Sequence, residues 1–190
     1  MSETKESLLN GLSIDTSYDT LALSNIVNAD HRYLKDLRVN VNNALVSDHI
    51  SEKEIALLSI SIAFTLKDKA LEEVFIQKAK EKEASGEEIA EAISCASLLS
   101  ANNILYRFRH FTGKDKYNQL PARLKMNIMM RPVLGKEFFE LISLAVSAVN
   151  GCEMCVNSHE KSLMELGSSE ERIFDAVRLA SVIASLSKIV

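Results

Sequence analysis

The sequence predicts an all-α protein, and three observations carry that prediction. The 190 residues include only six Gly and two Pro, fewer turn residues than a β-sandwich or barrel normally needs. The balance of Ala, Leu, Ser, Ile, Glu and Lys favours helices. Ser-x-x-Glu capping boxes precede apolar residues spaced by three and four, which is the pattern of amphipathic helices. Apolar residues make up 47% of the chain, enough to bury a sizeable core.

The N-terminal segment carries the weakest pattern. Residues 1–30 are polar, and their apolar cluster lies within residues 21–27. We expect a loose arm with one short helix there, followed by a single all-helical domain over residues 31–190. Asp30 is expected to cap a helix that runs to about Val46, because apolar residues follow it at helical spacing. They are Leu34, Leu37, Val41 and Leu45.

Two capping boxes start helices in the first half of that domain. Ser51 with Glu54 precedes one helix, and Ser85 with Glu88 precedes another. Between them, Lys69–Lys82 is expected to form a charged helix with an apolar inner face.

A less regular stretch is expected after the helix that starts at Ser85, which should end near Ser100. The stretch covers residues 102–135 and contains both Pro residues. Its polar-aromatic run, residues 106–111, is typical of a surface that packs against something.

Three more helices are expected in the second half of the domain. Asn150 and Gly151 separate the first two, and Gly167 ends the second. Ser168 with Glu171 forms a third capping box before the last helix. The three helices are expected to cover residues 136–149, 152–166 and 168–187.

The two halves of the domain match each other and predict an internal duplication of a helical unit. The two copies would cover residues 51–101 and 136–187, and five small or apolar positions in their last helices recur 84 residues apart. The first copy has Asp68 and Leu71 where the second has two Cys. We therefore expect the chemistry to lie in the second copy, with the first as scaffold.

Charge and hydropathy exclude several function classes. Twenty-two Lys and Arg against 26 Asp and Glu give a net charge of −4, so the basic surplus of a nucleic-acid-binding protein is absent. The first nine residues lack the apolar stretch of a secretory signal, and the most apolar segment is far shorter than the about 20 residues of a membrane span. We expect a cytoplasmic protein without nucleic-acid or membrane contact. Three Cys in a reducing compartment do not form a disulfide scaffold.

Two of those Cys form a chemical constellation with a His. On a helix, Cys152 and Cys155 lie one turn apart, and His159 follows one turn later on the same face. Cys152 would lie at the helix start, where the helix dipole lowers a thiol pKa. His159 could accept a proton from a thiol or stabilise a thiolate, the form that attacks peroxides and disulfides.

A carboxylate can join this set. Glu140 lies on the preceding helix, and its side chain reaches the thiols if the two helices meet at the Asn150-Gly151 break. A carboxylate beside His fixes the imidazole tautomer and raises its basicity. Glu137 is the competing choice.

The other Cys and His residues are expected outside the site. Cys95 is expected in the core, His31 and His49 on the surface, and His110 at an exposed packing edge.

Several kinds of site can use these side chains. A zinc site would have three ligands, Cys152, Cys155 and His159, and would need Glu140 or His110 as the fourth. A thioredoxin motif should lie between a strand and a helix, and no strand pattern flanks this one. A dithiol redox centre on a helical scaffold needs nothing further. Two buried Cys with a capping His would be merely structural.

The surrounding residues resemble the AhpD alkylhydroperoxidase family, within the wider carboxymuconolactone-decarboxylase-like group. The resemblance covers roughly residues 30–190. It rests on Ser147-Ala148-Val149-Asn150-Gly151-Cys152 with Cys155 and His159-Glu160, and on the segments Asn102–Arg107, Leu124–Ile128 and Asp36–Asn40.

The resemblance implies a fold, an activity and partners. It implies an all-helical homotrimer with no bound cofactor or metal, an antioxidant peroxidase that reduces alkyl hydroperoxides directly but weakly. It also implies that the protein passes electrons to the peroxiredoxin AhpC and is re-reduced by the dihydrolipoamide of a lipoylated protein. Cys155 would be the attacking thiol, passing through a sulfenic acid and able to form a transient mixed disulfide. Cys152 would be the resolving thiol and proton donor in a redox-active disulfide, and Glu140 with His159 would relay protons.

One position departs from the family pattern. Some relatives have a His directly before the second Cys, where this chain has Met154. Met cannot move protons, so His159 and Glu140 must suffice. The helix dipole alone favours Cys152 as the attacking thiol, while the spacing to His159 favours Cys155; the resemblance selects Cys155. A non-redox enzyme of the decarboxylase-like group and a metal-binding oligomeric module are the alternatives.

Overall fold

The computed structural model describes residues 2–190, and the all-α prediction is confirmed for them: they contain helices and no strand. A short 3-10 helix, Asn127–Met130, precedes α8. The α-helices in chain order are α1 (Glu3–Leu12), α2 (Leu21–Asn28), α3 (Tyr33–Ala44), α4 (Glu52–Leu66), α5 (Lys69–Glu81), α6 (Gly86–Thr112), α7 (Asp115–Gln119), α8 (Lys136–Val149), α9 (Glu153–Glu165) and α10 (Glu170–Leu186).

The core is built around α4. Residues 55–63 of this helix are all buried, and it packs against α5, α6, α8 and α10. A helix that is apolar on every side belongs in the interior. The hydroxyls of Ser59 and Ser61 donate to the carbonyls of Ile55 and Leu57 one turn earlier, so no polar group of these side chains is left unsatisfied. Because α8 packs against both α4 and α6, it is held firmly where it leads into α9.

Two of the three predicted capping boxes are confirmed. The backbone N–H of Ser51 donates to Glu54 at 2.9 Å, and that of Ser85 donates to Glu88 at 2.7 Å; both boxes are complete. They start α4 and α6 at the predicted positions. The helices predicted over 69–82 and 136–149 are also present within one residue.

The third capping box was wrong by one residue. Ser169, not Ser168, caps α10 and accepts a hydrogen bond from the backbone N–H of Arg172 at 3.2 Å. Gly167 ends α9 with a positive φ of 88°, as predicted, and the N–H of Ser168 then bonds back to Leu163. Ser168 therefore belongs to the end of α9, and its hydroxyl donates to Glu137 instead.

The N-terminal segment differs from the expected loose arm. It forms two helices, α1 and α2, and α1 packs on α3; Met1 lies outside the described residues. Four leucines fill the space beneath these helices and are at most 1% exposed, which ties the segment to the core. They are Leu8, Leu9, Leu12 and Leu23.

Asp30 does not cap α3 as predicted. It adopts a positive φ of 45° directly after α2, so it lies in the turn that ends that helix. The next helix starts only at Tyr33.

Helix α6 is longer than predicted. It continues through Thr112 instead of stopping near residue 100, and Gly113 ends it with a φ of 57°. The extra turns carry exposed aromatic residues, including Phe111 at 75% exposure, on the face where a simple amphipathic pattern expects polar residues. The buried amides Asn102 and Asn103 lie earlier on the same helix. This extension carries α6 to the joint between α8 and α9.

Both predicted repeats contain three helices in the same order, α4–α5–α6 and α8–α9–α10. The internal duplication and the domain boundaries stay predictions. None of the helices described between residues 2 and 190 combines the length and apolar character needed to cross a membrane.

Candidate active site

The site begins at the turn between α8 and α9. Asn150 follows the last residue of α8, and Gly151 adopts a positive φ of 68°, the left-handed region that favours glycine. The turn is closed by the N–H of Cys152, which donates to the carbonyl of Ser147 at 3.0 Å. Cys152 becomes the N-cap of α9 as a result. We call this Asn150–Cys152 segment the α8–α9 joint.

A disulfide joins Cys152 and Cys155 across the first turn of α9, with 5.3 Å between their Cα atoms. The two sulfurs therefore lie on one face, as the spacing predicts. Cys152 is 1% exposed and Cys155 is 7% exposed. Cys155 lines a cavity, whereas Cys152 is not among the residues of its wall. A reactant in the cavity reaches Cys155 first.

His159 lies one turn after Cys155 and lines the same cavity. Its Nδ1 is 2.6 Å from Oε2 of Glu140 on α8, and both side chains are about seven-eighths buried. In the neutral ring, a proton on Nδ1 donates to the carboxylate and leaves the Nε2 lone pair free to accept one. Glu140 is thus the carboxylate beside the imidazole, as predicted, whereas Glu137 binds Arg172 at 2.8 Å.

The cavity in front of Cys155 measures about 390 Å³ and is mainly apolar. Three thioethers contribute to its wall: Met154 from α9, and Met126 and Met129 from the segment that follows α7. Met side chains adapt to ligands of varied shape, so the cavity suits an alkyl group. The other lining residues are Leu99, Asn102, Asn103, Tyr106 and Ser158. Sequence reasoning missed this wall, although Met126 and Asn102 lie inside the segments that carry the family resemblance.

A hydrogen-bond network fixes the α8–α9 joint against α6. Asn103 donates to the hydroxyl of Ser147 at 3.0 Å and accepts from the side chain of Asn150 at 2.9 Å. Arg107, one turn further along α6, donates to the carbonyl of Asn150. This network was also missed, because nothing in the sequence pairs residues of α6 with a turn more than 40 residues away.

The third cysteine is not part of the site. Cys95 is fully buried on α6, as predicted, and its Sγ lies 3.4 Å from the hydroxyl of Ser143. Burial raises the pKa of the Cys95 thiol to about 12, and the nearby carboxylates of Glu140 and Glu91 add to that effect. Cys95 is therefore a neutral thiol at physiological pH.

The remaining His residues lie outside the cavity. His31 and His49 are exposed, as predicted. His110 is exposed at the end of α6, with Nε2 3.6 Å from a carboxylate oxygen of Glu153.

The donor set does not fit a structural zinc ion in this form of the protein. Two of the three ligands that such a site needs are bonded to each other as the disulfide. Within residues 2–190, no group of three or more His, Cys, Asp and Glu side chains is arranged to hold a metal ion.

Comparisons with known proteins place this site in a family. Residues 115–190 match the model of the carboxymuconolactone decarboxylase family. The alkyl hydroperoxide reductase AhpD of Coxiella burnetii is 36% identical over 160 residues, which cover 83% of this chain and 90% of the relative. Its counterpart from Solibacter usitatus is 36% identical over 169 residues, 89% of this chain and 95% of that protein. The chain therefore belongs to the AhpD family of alkyl hydroperoxide reductases.

Proposed function

We propose that this protein is an antioxidant oxidoreductase that reduces alkyl hydroperoxides by cycling Cys152 and Cys155 between dithiol and disulfide. One observation carries the proposal: a disulfide across one helical turn lies at the end of an apolar cavity, beside a His–Glu pair. The relatives are named as alkyl hydroperoxide reductases, which supports the same chemistry.

In the first step Cys155, as thiolate, attacks the terminal oxygen of the hydroperoxide. The O–O bond breaks, Cys155 becomes a sulfenic acid, and the alkoxide leaves as the alcohol after taking up a proton. His159 is positioned to accept the thiol proton and return it to the alkoxide, because it lines the same cavity and Glu140 holds its ring. The greater access of Cys155 supports its role as the attacking thiol.

In the second step Cys152 attacks the sulfur of the sulfenic acid. The S–O bond breaks, hydroxide takes the Cys152 proton to leave as water, and the disulfide forms. Met154 cannot carry a proton, so the His159–Glu140 pair serves as the proton relay in both steps.

A dithiol then returns the enzyme to its reduced form. We propose dihydrolipoamide, carried by a lipoylated protein, as this donor. One of its thiolates attacks Cys155 and displaces Cys152, and its second thiol closes a cyclic disulfide that releases Cys155. An alkyl dithiol matches an apolar cavity that carries no Lys or Arg in its lining.

The reduced enzyme can pass the same two electrons to a protein disulfide. We propose the peroxiredoxin AhpC as that acceptor, through a mixed disulfide with Cys155 that Cys152 resolves. We also propose a homotrimer acting in a reducing compartment such as the cytoplasm, where the lipoyl dithiol is kept reduced.

Reconstitution tests this cycle. The protein is mixed with lipoamide, dihydrolipoamide dehydrogenase and an alkyl hydroperoxide, with and without AhpC, and NADH consumption is followed. We expect NADH consumption that depends on the hydroperoxide and increases when AhpC is added. Hydroperoxide-independent decarboxylation of a lactone acid, with no NADH consumed, would instead assign the chain to the non-redox enzymes of the wider group.

A further inference from the structure

Reduction of the disulfide creates a buried charge. When a dithiol attacks the accessible sulfur of Cys155, the S–S electron pair leaves with Cys152 as a thiolate, which is later protonated. Cys152 is only 1% exposed. Burial disfavours a thiolate, and within this chain Cys95 shows how strongly, since its pKa rises to about 12. A Cys152 thiolate therefore needs a nearby positive potential to offset the cost of burial, which a Cys95 thiolate would not have.

The α8–α9 joint offers two sources of positive potential. The first is the N-terminus of α9, whose first N–H groups have no partner within the helix. The second is the guanidinium of Arg107, which donates to the carbonyl of Asn150, two residues before Cys152. Arg107 reaches the joint from α6, so its charge lies next to the turn that carries the leaving sulfur.

The charge of Arg107 is not neutralised by an ion pair. Among residues 2–190, no carboxylate lies within salt-bridge distance of it, although the side chain is half-buried. Arg172 is the opposite case, because its guanidinium is shared between Glu54 at 2.6 Å and Glu137 at 2.8 Å. An unpaired, half-buried cation acts over a longer range than a paired one.

Two carboxylates, Glu140 and Glu153, also lie on the helices that meet at the joint, and neither can replace this cation. From α8, Glu140 is negative and is bound to His159 of α9. Glu153 follows Cys152 directly, but its side chain is 74% exposed and faces His110 of α6, so solvent screens it. The positive side chain that a hydrogen bond holds at the joint is Arg107, which donates to the carbonyl of Asn150.

We propose that Arg107 is a positioning residue that holds the α8–α9 joint and stabilises the Cys152 thiolate released when a dithiol opens the disulfide. This role rests on the proposed redox cycle. It concerns stabilisation of the leaving thiolate, whereas His159 and Glu140 are proposed to transfer protons. Stabilising this leaving group favours the reduced form of the enzyme and speeds its reduction.

Charge and hydrogen bonding are separated by two substitutions. Arg107→Lys keeps the positive charge, whereas Arg107→Gln keeps an N–H donor for the Asn150 carbonyl without the charge. Arg109→Gln is the matched control, because it removes a positive charge from the same helix. The guanidinium of Arg109 donates to the carbonyl of Leu120, away from the joint. Arg107→Met, which keeps the apolar stem, replaces the Gln variant if that one does not fold.

The first readout is the thiolate fraction of Cys152, measured by ultraviolet absorbance against pH in a Cys155→Ser background. The second is the equilibrium between disulfide and dithiol against glutathione in the protein with both Cys. For Arg107→Gln we expect a thiolate fraction about tenfold lower and an equilibrium shifted about tenfold toward the disulfide. Arg107→Lys and Arg109→Gln should stay within about threefold of wild type.

Equal effects of Lys and Gln, or no effect of Gln, would overturn the assignment. These readouts do not require peroxidase turnover. If the wild-type disulfide accepts no electrons from any dithiol, the proposed function fails; if it is reduced normally and Arg107→Gln behaves like wild type, only the role of Arg107 fails.

Discussion

Two equally buried cysteines in this chain lie in different surroundings, and the difference bears on which of them takes part in the proposed chemistry. Cys95 lies within a long helix, hydrogen-bonded to Ser143 and surrounded by core side chains, and burial raises its pKa to about 12. Cys152 is equally buried, but it caps the start of α9 and lies at a joint that Arg107 contacts. Equal burial therefore leaves the two cysteines in different electrostatic surroundings, because Cys152 lies at the N-terminus of a helix and at a joint that a cation contacts.

The same lesson applies to two carboxylates one turn apart on α8. Glu137 points to Arg172 and Ser168 and ties α8 to α10, whereas Glu140 points to His159 at the site. A shift of three residues along one helix separates a structural group from a member of the proposed proton relay.

The largest effect is expected from Cys155→Ser. A hydroxyl is far less nucleophilic than a thiolate, so hydroperoxide turnover should fall to background in the NADH-coupled assay. Cys95→Ala is the control and should retain turnover, because the neutral Cys95 thiol takes no part. If Cys155→Ser keeps turnover, or if a folded Cys95→Ala variant loses it, the assignment of the redox chemistry to the Cys152–Cys155 pair and not to Cys95 is wrong.

His159→Phe should lower kcat by about 10²-fold, the usual scale for losing a general acid–base group. Glu140→Gln should also reduce activity, since the neutral amide holds the imidazole ring and its tautomer less firmly than the carboxylate does. Steady-state kinetics against pH is the measurement. Glu137→Gln is the matched control on the same helix, and a loss as large as that of Glu140→Gln would contradict the division between the two carboxylates.

Replacing Arg172 should affect stability and not the redox chemistry. Burial works against the charged forms of Glu54 and Glu137, but hydrogen bonds from Arg172 outweigh it and hold the pKa of both carboxyls below the usual 4.5. Groups with a lowered folded-state pKa stabilise the fold above the unfolded-state value, and this contribution is lost as the pH falls through the folded-state value. Arg172→Leu should therefore cost about 2 kcal/mol near neutral pH.

Urea unfolding at several pH values checks the prediction for Arg172. The difference between wild type and Arg172→Leu should shrink as the pH falls below 4.5. A difference that does not change with pH would show that lost packing, not the carboxylates, accounts for the effect.

The smallest effect is expected at the glycine of the joint. Gly151→Ala meets no atom within 4 Å, so its cost comes only from the positive φ of 68° and should be about 1–2 kcal/mol in urea unfolding. Gly86→Ala is the control, because it also has open space and lies at the start of α6 without a positive φ. That substitution should stabilise by about 0.4–1 kcal/mol. Equal effects at both positions would refute a backbone requirement at Gly151.

Local signals in the sequence predicted much of the fold. Helix α4 starts at its predicted capping box, and α5 and α8 lie within one residue of their predicted bounds, because such signals act within a few residues. The prediction of the third cap was wrong because two consecutive Ser follow Gly167. The first, Ser168, belongs to the end of α9, and the second, Ser169, caps α10. The last turns of α6 were not predicted because exposed aromatic residues interrupt the alternation of apolar and polar residues that indicates an amphipathic helix.

The site was predictable only in part. Helical spacing brings Cys152, Cys155 and His159 to one face, and these three are found together. The methionine wall depends on how the segment after α7 lies against α9, and the contact between Arg107 and the joint depends on how α6 packs against α8 and α9. No local pattern encodes either arrangement. The helix dipole and the spacing to His159 favour different thiols as the attacking one, and the position of Cys155 in the cavity wall supports the choice that the resemblance made.

The most direct test follows the two sulfurs during one turnover. Reduced protein is mixed with one equivalent of alkyl hydroperoxide, quenched with acid, alkylated and digested, and the Cys152–Cys155 disulfide is quantified by mass spectrometry against the hydroperoxide consumed. We expect one disulfide in the peptide that holds both Cys for each hydroperoxide reduced, with Cys95 alkylated throughout. Hydroperoxide consumption that leaves both thiols free, or a disulfide that involves Cys95, would contradict the proposed cycle.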